Sequence, residues 1–314
     1  MRVRDNAVSN EKTRAKKKNN MRKRDGFRLF LLTTPILIGV FIFSYVPLAG
    51  WTYAFFDYKP GIPLEESTFV GFKYFTMLFQ NPVQRADMLR VLKNTLGMSF
   101  LNLAAMILPL FFAVFLAEIR ATRYRKIVQT LTTIPNFISW VLVYAAFYAI
   151  FSTDGFINSV FGTSTNFLAS SEHVWMQMWG YHIWKSLGWN AIMYISAITS
   201  IDAEMYEAAE IDGAGRFAKM FYITIPFLIP TFFVLFVLQI GNLLNNGMDQ
   251  YYVFENAMNK ESIEVLDLYV YNTGLKNNNI PYATAIGMLK SVISVILVFS
   301  ANFASKKVRG TAIF

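Results

Sequence analysis

Long stretches of the chain carry few polar side chains. Six of them, 28–50, 94–118, 127–151, 175–200, 221–246 and 282–304, meet the length of about 20 mainly apolar residues that a helix needs to cross a bilayer. Each must be helical, because hydrocarbon offers backbone groups no partners but their own. Pro35, Pro47, Pro109, Pro135, Pro226 and Pro230 fall within these runs or near their ends. Membrane helices tolerate proline where neighbours satisfy the freed carbonyls. The pattern therefore predicts an all-α polytopic membrane protein with six transmembrane helices over 28–304. A basic arm, 1–27, precedes them and a short tail, 305–314, follows. Gly71-Phe72-Lys73-Tyr74-Phe75 and the residues after them are expected as a helix lying at the outer surface.

Charge decides the orientation. Only 16% of the 314 residues are charged, against about 25% in soluble domains. The net charge of +9 raises nucleic-acid binding as a possibility, but eleven of the 29 basic residues lie in the first 28 positions, directly before an apolar run. That placement fits a cytoplasmic topology anchor. The run 29–51 is also longer than a signal-peptide core and lacks a small-x-small cleavage site. The loop 119–126 holds Arg120, Arg123, Arg125 and Lys126, and the tail holds Lys306, Lys307 and Arg309. The 152–174 loop has no Lys or Arg, and the 247–281 loop has only Lys260 and Lys276. Both termini, 119–126 and 201–220 are thus expected in the cytoplasm. The five basic residues of 51–93 do not help the rule. With no cysteine in the chain, disulfides and thiolate metal sites are excluded.

The 201–220 loop carries the densest pattern. Glu204, Glu207 and Glu210 recur every third residue and share a face of a short helix. Met205, Ala208, Ala209 and Ile211 supply small or apolar contacts. Asp212-Gly213-Ala214-Gly215 breaks the helix, and a second short helix over about 216–222 leads into the fifth span. Such a bracket suits docking into a partner's groove, or serves as an ordinary amphipathic connector. Gly213-Ala214-Gly215-Arg216-Phe217-Ala218 also matches G-x-G-x-x-A, but a dinucleotide fold needs a strand before it and a βαβ unit around it. No G-x-x-x-x-G-K-[ST] occurs, so ATP would have to be hydrolysed by a partner. His173 and His182 have no metal-ligand company.

Glu207-Ala208-Ala209, three residues, Gly213, nine residues and Ile223-Thr224-Ile225-Pro226 resemble the coupling loop of importer permeases of the ATP-binding-cassette class. The one departure is Ile225, where Leu is usual. Ile183 to Trp189, Tyr206 to Ala214 and Tyr282 to Gly287 resemble the carbohydrate-uptake branch, and within it the LplB-type permeases for oligosaccharides and polysaccharide fragments. The resemblance implies a type I importer permease fold in a bacterial inner or plasma membrane. It implies a heterodimer with a second permease, two ATPase subunits that bind ATP and Mg, an extracytoplasmic solute-binding protein, and no cofactor in this chain. Glu204, Tyr206, Glu207, Ala208, Ala209, Asp212, Gly213, Ala214 and Gly215 would then couple the ATPases to the spans.

A path for sugar wants aromatic platforms with amide or hydroxyl partners. Asn136, Trp140 and Tyr144 in the third span supply these, as do Trp184, Trp189, Asn190 and Tyr194 in the fourth and Gln239, Asn242, Asn245 and Asn246 at the end of the fifth. The same residues suit interfacial belts and helix–helix contacts. Lys185 lies inside the fourth span, where a cation is costly unless paired or hydrated. It either faces a hydrated cavity and attracts an acidic sugar, or snorkels or packs between helices. Lys290 lies similarly in the sixth. Other readings are a permease of this architecture for a different solute, a membrane-embedded enzyme and a secondary transporter. The spans lack clustered acids and histidines, and no inverted repeat is visible.

Overall fold

The computed structural model describes Gly26 and residues 28–168 and 170–309. The remainder of the basic arm and residues 310–314 of the tail lie outside the described residues. The chain divides into two compact units, Met1–Tyr53 and Ala54–Phe314. Among the described residues the structure is helical apart from loops and one isolated bridge between Phe56 and Phe69.

Helix α1, Arg28–Phe55, carries the first unit, and none of its apolar stretch is buried. Its winding widens over Phe41–Tyr45, where the Val46 N–H reaches back five residues to the Phe41 carbonyl. Pro47 follows. A proline ring strikes the carbonyl four residues back in an α-helix, and one wide turn moves that carbonyl aside. The same device recurs before Pro226, where Met220–Thr224 is wide and the Ile225 N–H bonds the Met220 carbonyl.

In the second unit α2, Lys73–Gln80, precedes α3, Pro82–Ala105. Asn81 caps α3 by accepting the N–H groups of Val83 at 3.0 Å and Gln84 at 3.4 Å. After a break at Met106, α4 runs over Ile107–Ala117. The stretch Pro82–Ala117 has 36 residues, about 54 Å at helical rise, against a hydrocarbon core of about 30 Å. The expected span 94–118 is therefore the inner part of a longer helix. Its N-terminal turns pack on protein: Val91 joins Tyr74, Leu78, Leu266, Tyr282 and Ile286 in a buried cluster.

One continuous helix over 127–151 is not what forms. Helix α5, Thr122–Thr133, gives way to a tight turn, Ile134–Phe137, and α6 begins afresh at Trp140–Phe151. Pro135 cannot donate to the helix, Ile138 and Ser139 are extended, and Ser139 caps α6 through the Leu142 N–H at 3.4 Å. Helix α7, Phe156–Phe161, follows a turn.

Helix α8, Val174–Thr199, has 26 residues, about 39 Å. Among the described residues, five stretches are both long and apolar enough to cross a membrane: Arg28–Phe55, Pro82–Ala117, Trp140–Phe161, Arg216–Gly241 and Ile280–Lys307. Helix α8 is not among them, because Gln177, His182, Lys185 and Asn190 lower its apolarity. A count of six rests on α8 crossing by length.

Helices α9, Ala203–Ile211, and α10, Arg216–Lys219, form the loop after α8, and α11, Ile225–Gly241, rises from it. The next segment folds into α12, Asp249–Phe254, α13, Lys260–Ile263, and α14, Leu266–Tyr271, before α15, Ile280–Arg309. These short helices are tied to α3. Arg90 pairs with Glu264 at 2.9 Å, Asn94 Nδ2 donates to the carbonyls of Glu261 and Glu264, and Thr95 Oγ1 accepts the Leu266 N–H at 2.8 Å. Lys290 on α15 pairs with Asp267, which also accepts the Gly247 N–H just beyond α11. The lysine that looked costly inside the sixth span thus has a carboxylate partner level with the end of α11.

Candidate functional site

The loop between α8 and α11 is a closed bracket on a rigid mount. Asp202 caps α9 by accepting the Glu204 N–H at 3.1 Å. The helix ends because Gly213 adopts φ +80°, a left-handed value costly for residues with a Cβ. That turn lets the Ala214 N–H reach the Ala209 carbonyl at 2.8 Å, which satisfies the helix end. Gly215 then caps α10. Lys219 returns to Glu210 at 2.5 Å and closes α10 onto α9. The Lys219 hydrogen bond and charge hold the Glu210 carboxyl below its ordinary range. Arg216 fixes the bracket to the end of α4, with Nε on the Glu118 carboxylate at 3.0 Å and an Nη on its carbonyl at 2.7 Å. Tyr206 meets Thr224 at 2.9 Å, hydroxyl to hydroxyl, at the root of α11.

What the bracket leaves outward is informative. Glu204, Glu207, Ala208, Asp212, Gly213 and Gly215 are exposed, and Ile211 is 87% exposed. Tyr206, Ala209 and Ala214 are half-buried toward the mount. The second short helix expected over 216–222 ends at Lys219, where the wide turn before Pro226 begins.

The aromatic and amide residues divide into two groups. Trp189, Asn190 and Tyr194 of α8 come together with Gln239 of α11 and Asn242 just after it. With Met106 and Pro109 they line an open cleft of about 300 Å³, in which no lining residue is charged. The Tyr194 hydroxyl is buried and has no hydrogen-bond partner among the described residues. A narrower recess shares Met106, Pro109, Asn190 and Gln239 and adds Asn102, His182 and Ser186. Asn102 sits on α3, far from the expected groups in sequence, and only the packing of α3 against α8 brings it here. His182 and Ser186 carried no local signal beyond the i, i+4 spacing that puts them on one face of α8 with Asn190.

The remaining residues lie elsewhere. Tyr144 stacks edge-on against Phe254 with ring centres 5.1 Å apart, and Trp184 lies 5.5 Å from Phe147. Trp140 is half-buried beside the same cluster. Asn246 accepts from Ser99 at 3.0 Å and so ties the end of the α11 segment to α3, with Asn245 exposed beside it. Asn136 stands in the break between α5 and α6. Lys185 is turned into the chain. Its residue is 9% exposed, and its ammonium donates to the carbonyls of Pro135, Asn136 and Ile138 at 2.9, 2.9 and 2.5 Å.

This arrangement has known counterparts. Residues 105–310 match the model of the family described as binding-protein-dependent transport system inner membrane component. Protein LplB of Bacillus subtilis (strain 168) is 39% identical over 291 residues, covering 91% of this chain and 90% of that protein. The polygalacturonan/rhamnogalacturonan transport system permease protein YteP of the same organism is 39% identical over 285 residues, covering 89% and 88%. Among solved structures, a chain of a bacterial alginate ABC transporter, in complex with an alginate pentasaccharide-bound periplasmic protein, superposes with a TM-score of 0.81 at 32% identity, covering 93% of this chain and 98% of that one. An exposed bracket rooted in a helix that lines an uncharged cleft, in an apolar helical chain of this length, is the architecture of a transport permease: the chain belongs to the family of inner membrane components of binding-protein-dependent transport systems.

Proposed function

We propose that this chain is one permease half of an ATP-driven importer for oligosaccharides or polysaccharide fragments. The observation that carries the reading is a single mechanical line: α11 is rooted at Thr224 on the bracket and presents Gln239 to the cleft. Force applied to α9 has a direct route to the cleft through that helix. The exposed face around Glu207, Ala208 and Gly213 docks into an ATPase subunit, one for each of two permeases. ATP and Mg bind those partners, not this chain. Six helices cross the membrane, α8 included, with the bracket and both termini in the cytoplasm. A sugar-loaded binding protein delivers the substrate from outside.

The cleft suits carbohydrate. Trp189 offers a ring face, while Asn190, Gln239 and Asn242 offer hydrogen bonds. Having no charge, the cleft would read hydroxyls and ring faces, whether or not the sugar is acidic. The test is purification from native membranes in mild detergent, with identification of co-purifying proteins, alongside uptake of labelled oligosaccharides. Recovery of a second permease and an ATPase, lost on Glu207→Lys or Gly213→Asp, is expected together with ATP-dependent uptake. A chain that purifies alone and takes up solute on a proton gradient would overturn the reading.

A further inference from the structure

Lys185 occupies the break between α5 and α6. Where that helix path is interrupted, carbonyls lose their helical partners, and in an apolar setting an unsatisfied carbonyl is costly. The Pro135 carbonyl takes the Ile138 N–H at 3.2 Å as well as one Lys185 N–H. An ammonium has three N–H groups, and here all three go to main-chain carbonyls of one short turn. The Trp140 ring lies 5.4 Å from the nitrogen, within reach of a cation–π contact. No carboxylate among the described residues pairs with Lys185. One helical turn later Gly188 lets α8 press so close to α5 that a Cβ there would overlap the Thr132 carbonyl. Two residues on one face of α8 thus hold the end of α5 and the turn that follows it.

We propose that Lys185 is a positioning residue whose ammonium is the built-in cation of a main-chain carbonyl cage, and that this cage holds the α5–α6 break at one angle. Two penalties offset each other there: a cation removed from water and carbonyls left without donors. The same turn carries Phe137, which meets Trp189 edge-on with ring centres 5.6 Å apart. The cage therefore sets where one wall of the cleft stands. This last consequence rests on the transport reading above, but the cage itself does not. An ammonium so committed cannot bind a sugar carboxylate without opening the turn, so Lys185 is not the element that recognises an acidic substrate.

The chain has no cysteine, so spin labels can be placed cleanly. Tyr124 on α5 and Tyr148 on α6 are both exposed, and their cysteine variants would carry the labels in the full-length chain, with its co-purifying subunits, in lipid. One narrow inter-label distance is expected with Lys185, and the same distance with Lys185→Arg, which keeps N–H donors. Lys185→Met, close in length but without donors, should lose the single distance for a broad distribution. A wild-type distance in Lys185→Met overturns the cage, and so does a broad one in Lys185→Arg. Should Lys185→Met fail to accumulate in membranes, Lys185→Arg decides: accumulation with the wild-type distance supports the cage, and failure overturns it. Because no uptake is measured, failure here is distinct from failure of the transport reading.

Discussion

Glu210 and Lys219 show how one pair shapes the bracket. Glu210 is exposed, and its carboxyl is held below the ordinary range first by the Lys219 hydrogen bond. A carboxylate whose folded pKa is depressed contributes its full share of stability above the unfolded value, about 4.3. That share is lost as pH falls through the lower folded value. Closure of α10 on α9 should therefore be constant from neutral pH down to about 5 and weaken only below about 4. Amide hydrogen exchange over 212–219, corrected for intrinsic rates, reads this directly. Glu210→Gln should remove the acid transition, exchanging faster than wild type near neutral pH and converging with it at low pH. An acid transition unchanged in Glu210→Gln would mean that another group controls closure.

At the scale of elements, helix contacts are decided by where glycine permits approach. Gly188 and Gly180 sit on the same helix, α8, eight residues apart. A Cβ at Gly188 would overlap the Thr132 carbonyl and crowd the Thr133 nitrogen, whereas one at Gly180 meets nothing within 4 Å. Gly188→Ala must push two backbones apart and should destabilise by about 1–3 kcal/mol, the usual cost of overpacking. Gly180→Ala should instead stabilise by about 0.5–1 kcal/mol, because glycine within a helix is entropically costly. Thermal unfolding of the two variants in detergent should shift in opposite directions. Equal shifts would show that α8 does not pack on α5 in solution. The same contrast explains what could be read from the chain alone. The bracket is local: cap, glycine turn and closing ion pair all lie within 202–219, and its outline was legible. The apolar runs located α1, α4, α11 and α15 because burial in lipid depends on composition alone. The break at Pro135 was not legible as a break, since what stabilises it is Lys185, some fifty positions later. The N-terminal turns of α3 do not show in the hydropathy pattern because their apolar face is covered by α2, α14 and α15, not by lipid. For the same reason five of the eleven aromatic and amide candidates meet in the cleft while others serve as packing or ties between helices.

On the scale of the whole molecule, the bracket and the cleft lie at two ends of one helical path. From Thr224 to Gln239 is fifteen residues of sequence, about 23 Å along the helix. Tyr206 to Thr224 is a polar tie from α9 to the start of that path. If it transmits movement, Tyr206→Phe and Thr224→Val each remove this hydrogen bond while nearly keeping shape, and Thr224→Val also gives up the 3.5 Å bond from Thr224 Oγ1 to the Lys219 carbonyl. A buried hydrogen bond of this kind is worth about 1 kcal/mol, enough to lower transport per ATP hydrolysed by roughly fivefold. Nucleotide hydrolysis itself should be spared, because neither residue is on the exposed face of α9. The double variant should be no worse than Thr224→Val alone, since two residues that act through one bond are not additive. The measurement is uptake and ATP hydrolysis in the same reconstituted vesicles for all four proteins. Effects that add in the double variant would show that Tyr206 and Thr224 act independently, and unchanged transport per ATP in both single variants would show that the bracket drives the cleft through packing around Met220 and Leu228, without the hydroxyl pair.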